Sequence, residues 1–431
     1  MSGEVHFVIC VDTEGPLNET DEACVIRLNQ LFGLELPVER ETLGRLRAGD
    51  FALDPGVREK ILRIISPEVR DWLGDWGKLE ENLDYSMSED FRNQVVDDEG
   101  KGLVLNWFVC DWNGAFTVNP RKKQMGLNGV FDVIWNRFKN RAATDPIYFH
   151  HHSLPFSRAT HHPSRNWTNE TSHITSLLSH LIDYGHFPAC VRTPIMAPDI
   201  SFFLDQYFPF DMSSFSDPMD GADQPDVKAR RFVDWLGAPS DWSLYKPDPY
   251  DYRKPGAGHR WIGRSVQLGS RYGNLSREEM DKAFKKAVAG ESVLMSCHIH
   301  DHSPMRKFGY FWPELQEIRH RHPDVRFLNA TAVDAFRAVA NLEPKPRPTL
   351  EIMFENNTAF ITSDREILGL QPWFGFKTKD GAYLWDNMDA VEDRLWRYVF
   401  DEYTVPLSRL DAIGVAACDS YGNVATRVER L

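Results

Sequence analysis

The sequence predicts an α/β chain, a mostly parallel sheet or barrel over roughly residues 5–340, followed by a small all-β domain. Three observations predict it. Apolar strand-like runs alternate with helix-patterned segments. Polar residues gather where those apolar runs end, the side of an α/β barrel that carries its chemistry. Beyond a proline-rich junction the period changes to short strands joined by tight turns.

Taken in order, the strand-like runs are "VHFVICV", "LVLNWFVC", "PIYFHHH", "ACVR", "SVLMSCHIH" and "VRFLNA". The helical patterns are "REKILRIIS", "GVFDVIWNRFKN", "ITSLLSHLIDYG", "REEMDKAFKKAVAG" and "WPELQEIRHRHP". Between the first two strands an acidic, helix-patterned segment of about residues 16–102 is too long for a simple connection, and reads as an insertion or cap over the strand ends. Pro344, Pro346 and Pro348 mark a stiff linker that ends a first domain at about residue 345. Residues 346–431 then read as a β-sandwich with turns at Asn-Asn, Lys-Asp-Gly and Tyr-Gly-Asn. The aromatic, Pro/Gly-rich stretch 242–265 reads as a long ordered loop, either a wall of a sugar site or an exposed connector.

Composition narrows the function. With 431 residues, 42% hydrophobic and 26% charged, the chain can bury a sizeable core. A net charge of −14 argues against a general nucleic-acid binder. No run reaches a membrane span, no targeting pattern is visible at the start, and the six cysteines are scattered without a C-x-x-C pair. A reducing cytoplasm is the expected setting. Aromatic residues make up 12%, with 13 Trp, as suits sugar-binding clefts and aromatic cores alike.

The chemistry-bearing residues lie at strand ends. "FVICVDTEG" breaks off a buried strand into Asp12 and Glu14. In "IYFHHHSLPF", His150 and His152 share one side of a strand and His151 takes the other. His161 and His162 follow downstream as alternative ligands or lid residues. In "SVLMSCHIHDHSP", His298 and His300 again share a face, beside Asp301. An oxygen from Asp12 or Glu14 with two imidazoles makes a three-ligand set with an open position, the pattern of a catalytic zinc site. The carboxylate left over can act as a base on water. Arg192, in "VRTPIMAPD", either orients a carboxylate, binds an anionic group or forms a structural ion pair.

In this order, the motifs resemble those of the NodB-like polysaccharide deacetylase superfamily, over roughly residues 5–340. The resemblance implies a distorted (β/α) barrel of that type. It implies Asp12 as base and Glu14 as metal ligand, and it matches the family's paired metal histidines to "HHHS", His150 and His152. Its third motif falls on Arg192, its late catalytic histidine on His300 with Asp301, and "SFFLDQYFPFDMSS" matches its usual continuation. Two departures are visible: the paired histidines are i, i+2 rather than His-x-x-x-His, and Thr13 separates the two acids. The implied activity is removal of an acetyl or formyl group from an amino sugar, small or lipid-linked. The implied cofactor is a divalent metal, zinc first, with iron, nickel or cobalt as alternatives. Trp112, Trp167 and Tyr250 are the candidate sugar-contacting rings. Hydrolysis of a non-sugar amide or ureide, a non-catalytic carbohydrate-binding relative, and a glycoside hydrolase using Asp12 with Asp111 are the alternatives. The β-domain has three open uses: carbohydrate binding, packing on the barrel, or building a dimer.

Overall fold

The computed structural model describes residues 3–16, 20–70, 73–110, 127–139, 145–151, 172–193, 196, 198–216, 235, 237–268 and 275–431. Among the described residues nine strands form one sheet: β1 (Glu4–Thr13), β2 (Leu105–Val109), β3 (Ile147–His150), β4 (Cys190–Arg192), β5 (Phe210–Ser214), β6 (Trp261–Arg264), β7 (Val266–Gln267), β8 (Val293–His300) and β9 (Arg326–Asn329). Their order is β6-β5-β4-β3-β2-β1-β8-β7, and every pairing is parallel. Only Ser265 separates β6, which pairs with β5, from β7, which pairs with β8, so this one stretch nearly closes the sheet into a barrel. The Ser265 amide donates to Ser214 O at 2.9 Å on one side, and the Leu268 amide to His298 O at 3.0 Å on the other.

Strand alternation sorts the residues of β1. Val5, Phe7, Ile9 and Val11 pack outward into a helix-covered layer, while Val8 and Cys10 join the interior. That outer layer includes helices Gly129–Lys139, Arg277–Val288 and Phe311–Arg321. Two strands share one edge of β1: β2 covers Ile9–Thr13, and β9 fills the space below it at Glu4–Phe7. Helix Ala332–Val339 follows β9. Its Ala332 amide donates to Asn106 Oδ1 at 2.7 Å, and its Phe336 ring stacks on Phe210 with centroids 4.8 Å apart.

The long segment between β1 and β2 is helical. It holds helices Asp21–Phe32, Thr42–Ala48, Pro55–Ile64 and Trp76–Ser86 and two shorter ones. Cys24, Val25, Leu28, Leu43, Leu46 and Ile61 give it a small apolar core of its own. Leu79 and Leu83 from its last long helix enter the layer outside the barrel instead.

Residues 342–349 carry no regular secondary structure. After them come β10 (Leu350–Glu355), β11 (Thr358–Ser363), β12 (Trp373–Thr378), β13 (Tyr383–Trp385), β14 (Asp389–Glu392), β15 (Leu395–Val399), β16 (Leu410–Cys418) and β17 (Val424–Arg430). They form two four-stranded sheets, β10-β11-β15-β14 and β13-β12-β16-β17, whose adjacent strands run antiparallel. Phe374, Phe376, Ile413 and Val415 fill the core between the sheets with Ile361 and Tyr398. The other face of the second sheet packs on the barrel's helix Ser172–Tyr184. Gly375 and Gly414, paired across β12 and β16, let that helix approach: an added Cβ would stand 2.4 Å from Leu178 Cδ2 and 2.8 Å from Ile182 Cγ1 respectively. Trp373, fully buried, meets Phe187, Phe203 and Tyr207 of the barrel. The structure thus shows packing on the barrel among the three uses left open for this domain.

The stretch 242–265 differs from its reading as a loop. Its last residues, Trp261–Arg264, are strand β6. Gly263 and Arg264 broke the apolar pattern there. Gly263 is small because Met212 Sδ and the Phe336 ring would lie 3.0 Å from a Cβ at that position.

Candidate active site

The parallel strands deliver Asp12, His150, Arg192 and His300 to one end of the barrel, the carboxyl ends of β1, β3, β4 and β8, with Glu14 just beyond β1. Register fixes the neighbours: Asp12 is opposite His300, and His150 is opposite Arg192. Adjacent parallel strands in register point their side chains to the same face.

Asp12 and Arg192 form a buried ion pair. Arg192 Nε donates to Asp12 Oδ1 at 2.6 Å, and its Nη1 donates to the Met212 carbonyl at 2.7 Å. Both side chains are almost wholly removed from solvent. Burial alone would raise the Asp12 pKa, but the Arg192 guanidinium outweighs it and holds the carboxyl well below the usual range.

His150 is fully buried, and its Nδ1 lies 2.6 Å from the carbonyl oxygen of Arg192. A carbonyl only accepts, so Nδ1 carries a proton, and in its neutral form the ring presents the Nε2 lone pair. That Nε2 stands 3.4 Å from Glu14 Oε1. Two donors each about 2.0–2.1 Å from a tetrahedral zinc are separated by about 3.4 Å. Metal-binding imidazoles commonly fix their free tautomer by such a carbonyl bond. Glu14 and His150 therefore fit a metal as a pair. Among the described residues no group of three or more His, Cys, Asp or Glu is gathered to hold an ion. His152, the third expected ligand, lies outside the described residues, as do Trp112, Trp167, Asp111, His161 and His162.

Asp301 is fully buried, and its carboxylate is directed at backbone. It accepts from the amides of Glu14 at 3.1 Å, Gly15 at 2.9 Å and His302 at 2.9 Å. The Asp301 amide in turn donates to Asp12 O at 3.0 Å. Asp301 thus couples the loop after β1 to the loop after β8. His300 is half-buried, with its ring centroid 4.7 Å from that of His302, whose Nδ1 is 3.5 Å from Asp301 Oδ1.

One layer deeper, His298 lies opposite Cys10, and its Nδ1 is 3.0 Å from the carbonyl of Ser265. Burial and the nearby Arg192 push its pKa well down, which keeps the ring neutral. The shared face of His298 and His300 was legible from i, i+2 spacing, but nothing in the pattern gave His298 its own place beneath the acid. His302 and Asn82, which hydrogen-bonds the β8 loop, had no sequence signal. Tyr250 is 88% exposed on its loop and makes no ring contact or hydrogen bond with the residues above.

No family model, no curated protein and no solved structure matches this chain.

Proposed function

We propose that the chain is a metal-dependent hydrolase on a polysaccharide-deacetylase-type barrel, removing an acetyl or formyl group from the nitrogen of an amino sugar. The observation that carries this reading is the His150 ring, tautomer-locked by the Arg192 carbonyl with Nε2 3.4 Å from the Glu14 carboxylate. Glu14 and His150 hold the ion, with His152 as the expected third ligand. Zinc suits nitrogen and carboxylate donors, and iron, nickel and cobalt are the alternatives. Once bound, a divalent ion supplies a Lewis acid that makes water acidic enough for a base as weak as Asp12.

Asp12 stays charged throughout the working pH range, with Arg192 bonded to Oδ1. Its Oδ2 is left to take a proton from the attacking water. His300, across the strand pairing from Asp12, gives a proton to the departing amine. Asp301 works through backbone, fixing where Glu14 stands. The substrate is a small-molecule or lipid-linked N-acyl sugar, and the six buried, scattered cysteines suit a reducing cytoplasm.

Elemental mass spectrometry of the purified protein beside His150→Ala tests the ion. Near-stoichiometric metal that disappears in the variant is expected, and no metal in either after reconstitution would overturn the mechanism. Free-amine release is then measured on acylated amino sugars and on cyclic amides. Release from only the cyclic amides would end the sugar assignment.

A further inference from the structure

We infer that Asn82, in the helical segment between β1 and β2, is a positioning residue of the candidate site. Through Asn82 this segment holds the loops that carry Glu14 and Asp301. The inference deepens the proposed hydrolase reading and rests on it for the role of Glu14.

Asn82 is 9% exposed and lies on helix Trp76–Ser86. Its Nδ2 donates to the carbonyls of Asp301 at 2.8 Å and Ser303 at 3.1 Å, and its Oδ1 accepts from the Met305 amide at 2.8 Å. Three bonds from one amide head thus grip the turn that follows β8. A backbone bond from Leu73 N to His302 O at 3.0 Å lies alongside. The same turn holds the Asp301 carboxylate on the amides of Glu14 and Gly15. Glu14 therefore stands where it does at the end of a chain of contacts: Asn82, Asp301, then the Glu14–Gly15 backbone. The ring of Trp76, from the same helix, lies against Gly15, so the helix reaches both loops. A buried amide with both donors and its acceptor used on backbone specifies loop geometry closely, because any shift leaves a polar group unsatisfied.

The expected consequence is remote. Neither Glu14 nor Gly15 hydrogen-bonds to Asn82, yet Asn82→Ala should loosen their amides. The test is hydrogen exchange followed by mass spectrometry on the wild-type chain, Asn82→Ala, Asn82→Asp and Glu80→Ala, an exposed position on the same helix. Exchange in the segment Asp12–Gly15 should speed up about tenfold in Asn82→Ala. Asn82→Asp, which keeps the acceptor for Met305 but loses both donors, should do the same while preserving the side chain's shape. Glu80→Ala should match wild type. This readout needs neither metal nor turnover, so it stands even if the hydrolase reading fails. The Glu14 role is read separately, by zinc affinity in chelator competition, where Asn82→Ala should weaken binding about tenfold or more. Unchanged exchange at Asp12–Gly15, with loosening confined to residues 301–305, would overturn the inference. Faster exchange with unchanged zinc affinity would overturn the part that concerns Glu14.

Discussion

Removing the Arg192 guanidinium leaves Asp12 buried without its principal counter-charge. Breaking such a pair costs about 3–5 kcal/mol. Arg192→Ala should therefore lower stability by that order at neutral pH, as read by urea denaturation. The sign of its pH dependence follows from Asp12. In the wild type its depressed pKa stabilises the fold above the ordinary carboxylate value of 3.8, and this contribution fades as pH falls through the lower native value. The variant lacks that contribution, so its deficit should shrink on acidification below about pH 4. A deficit that stays constant or grows there would contradict the electrostatic account. Arg192→Lys is no rescue, since one ammonium cannot reproduce the Nε bond to Asp12 together with the Nη1 bond to Met212 O. At this scale much of the site was legible. Asp12, Glu14, His150, Arg192 and His300 are polar residues ending apolar runs, and a parallel barrel brings such ends together. The partners Asp301 would take were not legible, because backbone amides leave no mark in a sequence. Asn82 sits in a helix whose pattern shows only an amphipathic surface.

Elements were readable wherever burial imposes a period. The long helices and the strands ending in His or Asp stand out for that reason. Strand β6 escaped because its interior positions face a crowded floor that needs Gly263, and because Arg264 on the opposite face is packed against Trp242 rather than exposed. Strand β14, exposed along its whole length, has no apolar face to read. The continuous apolar run of β16 has a structural cause: its sheet is buried on both faces, by the partner sheet and by helix Ser172–Tyr184. That double burial makes the glycine pair sensitive. Gly375→Ala and Gly414→Ala should each cost about 1–3 kcal/mol by forcing the helix away, and the double variant should cost less than the sum. Gly309→Ala, where a Cβ meets nothing within 4 Å, is the control. Equal melting temperatures across the three single variants would show that the helix does not lie as tightly as described.

Across the whole molecule, stability should fall early on the acid side. His298 and His173 are buried, and burial holds both below the ordinary histidine value of 6.5, His173 at about 4. Below pH 6.5 the unfolded chain takes up protons that the folded chain does not, so stability declines as pH falls, by up to about 1.4 kcal/mol per pH unit for each histidine. Denaturation midpoints between pH 7 and pH 5 measure this slope, and a flat profile would mean that these rings are charged or exposed. The position of β1 has a different consequence, in the order of synthesis. Strand β1 is made before the other strands of its sheet and is central in the barrel, yet Val5 pairs with Val293 and Glu4 with Arg326. At the usual pace of translation, β1 waits roughly 15 to 60 s for β8 to be made. Through that interval one of its edges stays open. Because the candidate site joins β1 to β8, no nascent chain can carry it until translation has passed His300.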